Sequence, residues 1–298
     1  MTEKRVIMFG GKGGVGKTTC AGATALHYAR MGLNTLVIST DPTPSLSDIF
    51  EVEGKQKPME VTDNLHLAEL GIEEVKDMWD KKFGHEVYEI FSVLVSIEYE
   101  EFVDFITSIL PGLQEEFMID YIKDLAQNEA YDRIVWDTAP LGQTIGLLKT
   151  PAMLWEHLKP APKIYSKLKL GNRSKRPILD IIKGWAELSA KDMEFLKQEV
   201  DFNLVTIPEA LAVQQLDGIF AELSANQLEF QRLIINNVIK AVDSDFLRTK
   251  QAQQQGYRDI IHAKRSGSEV IEVPLFPYEI KGIDRLEEIR KVLFHKPA

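Results

Sequence analysis

The sequence predicts a doubly wound α/β fold: a mostly parallel sheet with helices on both faces and an α-helical subdomain inserted between strands. Three observations lead there. Short β-branched runs alternate with helix-like segments along most of the chain, the pattern of parallel strands joined by crossover helices. A glycine-rich stretch, GGKGGVGKTTCAG over Gly10–Gly22, lies between the first such run and the first helix-like segment. Two long stretches, Ile72–Ala130 and Thr150–Val200, carry helical periodicity alone.

The strand-like runs, in order, are RVIMF within Lys4–Phe9, TLVIST at Thr35–Thr40, LHLAEL at Leu65–Leu70, RIVWD at Arg133–Asp137, FNLVTI at Phe202–Ile207, RLIINNV at Arg232–Val238 and EVIEVPL at Glu269–Leu275. Together they place a core in residues 1–71, 131–149 and 201–298, and a helical subdomain in residues 72–130 and 150–200. In the subdomain Val87, Ile90, Leu94 and Ile97 lie three or four apart, as do Phe102, Phe105, Ile106, Ile109 and Leu110 before Pro111-Gly112 breaks the pattern. Two readings stay open for these amphipathic stripes: packing on one another, or lining a groove for a hydrophobic ligand, with Leu94, Phe105, Leu110 and Met118 as its candidates. A basic run from Lys159 to Lys183 reads either as a solvated loop or as a contact for anionic lipid or an acidic partner. QAQQQ at Gln251–Gln255 is the single low-complexity tract.

With 298 residues, 44% hydrophobic and 27% charged, the chain is long enough to bury a sizeable core. Its formal net charge of -10 argues against general nucleic-acid binding, since a phosphate backbone would repel most of the surface. The lone cysteine, Cys20, cannot form an intramolecular disulfide and reads as a small packing residue. No basic-then-apolar leader precedes the first strand, and the longest apolar run, Ile90–Ile97, is about half of a membrane span. The expectation is a reduced, cytoplasmic protein.

Gly11 to Thr18 reads GKGGVGKT and satisfies G-x-x-x-x-G-K-[ST] between a strand and a helix, the context in which that motif cradles phosphates. Gly11, Lys12, Gly13, Gly14, Val15, Gly16, Lys17, Thr18 and Thr19 form the candidate nucleotide loop. Glycine lets the backbone N–H groups approach phosphate oxygens, and the helix N-terminus adds a favourable dipole. Lys17 is placed to reach the terminal phosphates and Thr18 to hold Mg²⁺. Lys12 is the second lysine of the loop, with no evident local need.

G-K-G-G-V-G-K-T resembles the deviant Walker A loop of ArsA-type ATPases, ParA and MinD proteins and the nitrogenase iron protein, within the P-loop NTPases. The resemblance implies that Lys12 crosses a dimer interface to the partner's phosphates, and so a homodimer closed by ATP. Thr40–Asp48 and Asp137–Thr144 narrow it to the ArsA and Get-type ATPases, and the likeness continues in Leu110–Leu113, Ile207–Val213, Ile235–Val238 and Pro274–Gly282. It implies that Asp41 acts on the attacking water, chiefly by positioning it because a carboxylate near pKa ~4 is a weak base. It further implies that Asp137 lies near magnesium, holding it through water, and that Asn236 reads adenine beside Pro274, Leu275 and Phe276.

The sequence departs from that family at several points. Pro44 and Gln143 stand where the family carries switch histidines, and Pro44 cannot donate a hydrogen bond. No cysteine follows Cys20, so the zinc-clamping C-x-x-C of many Get-type members is absent and no zinc is expected. The resemblance implies an ATPase that binds hydrophobic transmembrane segments of tail-anchored or other membrane proteins for targeting. The alternatives are a subunit driving an arsenite-type anion pump, for which soft thiolate ligands are missing, and a ParA- or MinD-like regulatory switch.

Overall fold

The computed structural model describes residues 4–41, 45–53, 58–85, 87–88, 92, 97–109, 113–138, 175–264 and 267–294. Strand β1 (Val6–Gly11) is buried along its whole length and pairs parallel with β5 (Arg133–Asp137) on one side and β6 (Val200–Thr206) on the other. On the β5 side follow β2 (Thr35–Ser39), β4 (Leu65–Glu69) and β3 (Met59–Thr62); on the β6 side follow β7 (Phe230–Val238) and β8 (Glu269–Pro274). The eight strands run in the order β3-β4-β2-β5-β1-β6-β7-β8, all parallel except β3. Every run named from the sequence forms a strand, because apolar β-branched stretches covered on both faces suit a buried parallel sheet.

Strand β3 escaped the sequence reading. MEVT is short and half polar, and it lies antiparallel on the sheet edge, where one face needs no continuous apolar run. Its signal was the turn Asp63-Asn64, with Asn64 at φ 61°, a conformation that asparagine tolerates.

Helix α1 (Lys17–Arg30) packs the sheet through small residues, Ala21, Ala23, Ala25 and Ala29, with Cys20 buried among them. Its close neighbours are α2 (Leu46–Phe50), and α9 (Gly282–Phe294), which contributes Leu286, Ile289 and Leu293 to the same core. A methyl on Gly22 would already sit 3.2 Å from the Phe50 ring, so the small residues are what let these helices approach. Helices α7 (Ala210–Ala225) and α8 (Asp245–Ala263) follow β6 and β7 in the chain.

The chain divides into two compact units, one of Met1–Leu70, Leu125–Gly142 and Lys197–Ala298, the other of Gly71–Asp124 and Gln143–Leu196. The second holds α3 (Ile72–Trp79), which runs on into a π-helical turn at Asp80–Gly84, then α4 (Tyr99–Ile109), α5 (Leu113–Gln127) and α6 (Lys175–Glu199), the last two crossing into the first unit at their C-terminal ends. Its core packs tilted aromatic rings together, Trp79 against Phe102 at 6.3 Å and Phe83 against Phe117 at 5.7 Å. Full burial of one such side chain is worth about 1.5–3 kcal/mol.

The same unit buries charge. Lys123 donates to Asp120 at 2.7 Å and to Asp192, while Lys82 also pairs with Asp120. Burial pushes the Asp192 carboxyl up to about 6 although Lys123 pulls the other way. Asp120 is also desolvated, yet hydrogen bonds from Lys123 and Lys82 outweigh that and hold it below the ordinary carboxylate value. Among the described residues no helix is long and apolar enough to cross a membrane.

Candidate functional site

The site begins where β1 ends. Gly11 has φ 151° and a Cβ there would stand 2.3 Å from the Val205 carbonyl of the neighbouring strand, so only glycine lets the chain leave the sheet at this point. Gly16 caps α1 in a left-handed conformation, φ 98°, and a Cβ there would meet the Asn236 amide nitrogen at 2.2 Å. Between them the loop folds over the N-terminus of α1, where the first-turn N–H groups have no intrahelical partner and face outward with the helix dipole. That is an anion-binding arrangement.

Lys17 begins the helix. Its side chain is buried, and Nζ donates to the Lys12 carbonyl at 3.0 Å, folding the lysine back across its own loop. Burial lowers its pKa from the ordinary lysine value, opposed by the charges of Asp137 and Asp41. One residue on, the Thr18 hydroxyl donates to Asp137 Oδ2 at 2.8 Å, joining the helix start to the end of β5. The Ser39 hydroxyl, at the end of β2, reaches the same oxygen at 3.4 Å and also accepts the Asp41 N–H at 3.3 Å. Thus the ends of two neighbouring strands, β2 and β5, and the start of α1 meet at one carboxylate, at the carboxyl edge where ligands of open α/β sheets bind.

Asp137 Oδ1 is buried and has no hydrogen-bond partner among the described residues. Burial pushes the Asp137 carboxyl up to about 6, against the hydrogen bond from Thr18 and the charge of Lys17. A buried oxygen left without a donor is costly unless a further group satisfies it. A carboxylate and a hydroxyl beside a phosphate-binding loop form the oxygen donor set that Mg²⁺ takes, completed by waters and phosphate. These residues therefore fit the ion.

The other end of the loop meets β7. Asn236 Nδ2 donates to the Val15 carbonyl at 2.9 Å, which holds the asparagine against the loop's elbow. Just beyond it the Leu275 N–H donates to the Val238 carbonyl at 2.8 Å, tying the segment Pro274–Phe276 to the end of β7. Leu275 is half exposed there, while Phe276 packs against the core. The arrangement offers an amide and an apolar surface on one side of the phosphate loop, as a heterocyclic base requires.

A profile of the family described as anion-transporting ATPase matches residues 4–295. This chain belongs to that family. It is 31% identical to "Putative arsenical pump-driving ATPase 2" of Aquifex aeolicus, over 97% of this chain and 99% of that protein. It is also 31% identical to "ATPase GET3B" of Arabidopsis thaliana, over 98% of this chain and 79% of that protein, and 28% identical to "ATPase GET3A" of the same plant, over 94% and 81%. The protein is an ATPase, and ATP is its nucleotide.

In this ATPase the remaining residues singled out by sequence fall unevenly. Pro44, Gln143, Leu94 and Leu110 lie outside the described residues, as does the basic run before residue 175. Asp41 stands close enough to Lys17 and Asp137 for its charge to act on both. Lys12 is half-buried and Gly13, Gly14 and Thr19 complete the loop's turn into α1. In the helical unit Phe105 is 48% exposed, so it presents apolar surface. Met118 corrects the groove expectation: at 5% exposure it packs inside the unit and offers no surface. Helical spacing identified its face as apolar, and the neighbouring helices that cover that face are not visible in the spacing.

The sequence reading missed Glu69. Its Oε1 accepts the Ser47 N–H at 2.9 Å and the Ser47 hydroxyl at 3.2 Å, so the end of β4 fixes the first turn of α2, which follows the Asp41 loop. An acidic residue near the end of a mostly apolar run, LHLAEL, was the available signal.

Proposed function

We propose that this ATPase works as a homodimer whose hydrolysis is Mg²⁺-dependent, and that it binds hydrophobic transmembrane segments for membrane-protein targeting. The observation carrying the catalytic part is the convergence of Lys17, Thr18 and Asp137, with one Asp137 oxygen buried and without a partner among the described residues. Thr18 would hold the ion directly and Asp137 through water; bound there, the ion neutralises charge building on the β- and γ-phosphates. Lys17 binds the terminal phosphates, Asp41 positions the attacking water, and Asn236 with Pro274, Leu275 and Phe276 takes the adenine. Phosphoryl transfer depends on such positioning more than on covalent chemistry. Lys12 serves the neighbour's nucleotide, and closure of the dimer is its consequence.

Targeting is supported by the likeness, over 98% and 94% of this chain, to proteins named GET3 and by the apolar exposure of Phe105 on α4. A client helix of about 20 residues needs some 30 Å of apolar surface, which two copies would assemble from their helical units. The test is co-expression with a protein bearing a C-terminal transmembrane helix, with that helix intact or deleted. Helix-dependent recovery of a soluble complex supports targeting. Failure of recovery alongside intact ATP hydrolysis removes it and favours the second reading, a pump-driving subunit, which rests on the likeness to the Aquifex protein over nearly its whole length.

A further inference from the structure

The tract at Gln251–Gln255 takes no part in the site as described so far. On α8 the residues at 251 and 254 fall three apart and share a face. That face lies against the segment that follows Asn236. Gln254 spans it with both ends of its amide: Nε2 donates to the Asn237 carbonyl at 3.0 Å, and Oε1 accepts the Ile239 N–H at 2.9 Å. Gln251 adds a bond from its Nε2 to the Ile239 carbonyl at 3.0 Å.

The need for such partners is built into the backbone. The pairing of β7 with β8 shifts register between Ile235 and Val238, and Asn237 adopts φ 58°. Main-chain groups that leave the ladder must be satisfied elsewhere, and a glutamine amide supplies a donor and an acceptor together. One turn further along α8, Arg258 donates to Glu272 Oε1 at 2.7 Å and Oε2 at 2.9 Å, which fixes β8 two residues before Pro274. Burial opposes ionisation of Glu272, but the bonds from Arg258, Lys240 and His262 outweigh it and hold the carboxyl down to about 2. The Val238–Leu275 bond closes the frame between the two segments.

We infer that Gln254 is a positioning residue for nucleobase recognition: by clamping Asn237 and Ile239 it sets where Asn236 and the Pro274–Phe276 segment stand toward the base. This rests on the proposal that those residues receive adenine. Gln254 touches no nucleotide itself; it acts through the strand end.

The test compares kcat and KM for ATP and GTP in the full-length protein, Gln254→Met and Asn236→Ala, with folding followed by circular dichroism. Methionine keeps the length and removes both hydrogen bonds. The expected result for Gln254→Met is a KM for ATP raised roughly three- to tenfold, kcat nearly kept, and the ATP-over-GTP preference reduced by the same factor. An unchanged preference in folded Gln254→Met overturns the clamp, and so does an equal fall in kcat for both nucleotides at unchanged KM. Asn236→Ala separates the two levels. If it alone lowers the preference, the adenine reading stands and the clamp falls; if neither variant does, both fall. Should Gln254→Met not fold, Gln251→Leu, which removes the bonds from Gln251 Nε2 to the Ile239 and Lys240 carbonyls, carries the same test with a smaller shift in the same direction.

Discussion

The ammonium of Lys17 donates to the carbonyl oxygen of Lys12 at 3.0 Å, so the loop's two lysines are joined through the main chain of one and the side chain of the other. Among the described residues, it is the Lys17 side chain that is bonded to this loop. The two substitutions therefore part. Lys17→Ala removes a buried cation beside Asp137 and should lower kcat/KM for ATP by about a hundredfold or more, with nucleotide affinity, read by a fluorescent ATP analogue, lost in parallel. Lys12→Ala should retain affinity within a few-fold and lose ATP-dependent dimer formation, read by light scattering after size exclusion. Equal loss of affinity in both variants would contradict the cross-interface role.

Asp137 ties stability to pH with a definite sign. Its folded value of about 6 stands above the ordinary 3.8, so the folded protein holds this proton more tightly than the unfolded chain does. Its contribution is full below about pH 4 and is lost as pH rises to about 6. Asp192, also raised to about 6, acts in the same direction. Nucleotide-free Asp137→Asn should therefore lose less stability than the parent between pH 4 and 6, and be at least as heat-stable at pH 7.5, while Mg²⁺-dependent ATP turnover falls by about a hundredfold or more. Thermal melts across that range and a turnover assay check both halves; a melting point lowered at pH 7.5 would contradict the buried-charge cost.

Glycine substitutions should rank by what a new Cβ meets. At Gly13 it meets nothing within 4 Å, so Gly13→Ala should leave melting unchanged. At Gly16 it meets a side-chain amide that can swing aside, but φ 98° remains strained, at a cost of about 1–3 kcal/mol, and Asn236 is displaced. At Gly11 it meets a backbone carbonyl of the central sheet at 2.3 Å and nothing can yield cheaply, so Gly11→Ala should be the most destabilising of the three. Urea denaturation of the set gives the order directly.

The buried ion cluster of the helical unit offers a graded comparison. Lys123→Met leaves Asp192 and one side of Asp120 uncompensated in the interior, and should destabilise by about 3–5 kcal/mol. Lys82 is substantially exposed, so Lys82→Met should cost about 1 kcal/mol or less. Urea unfolding followed by tryptophan fluorescence reports on the cluster, since Trp79 is buried in that unit. Similar losses for the two would mean that the cluster is more hydrated than its burial implies.

How far the site was legible varies with the kind of contact. Thr18 and Asp137 stand 119 positions apart, yet each sits at a recognisable carboxyl edge, one after a glycine loop and one at the end of RIVWD. Met118 and Phe105 occupy equally apolar helical stripes, and only the packing of neighbouring helices buries the first and exposes the second. Lys123, a charged residue in a stretch of helical periodicity, is interior, and Asp192 from α6 meets it there.

The sequence by itself determined the parallel sheet, the phosphate loop and the convergence of its acidic partners on one edge. Those follow from local physics: strand propensity, glycine's access to positive φ, and the rule that parallel strands all end on the same side. The tertiary structure alone decided that Glu69 holds Ser47, that Gln254 clamps the strand end beyond Asn236, and that Asp120, Lys123 and Asp192 form a buried cluster. Each is a pairing of polar groups brought together by register and helix packing. A hydrogen bond is satisfied by whatever stands within about 3 Å in space, a distance that residue order does not encode.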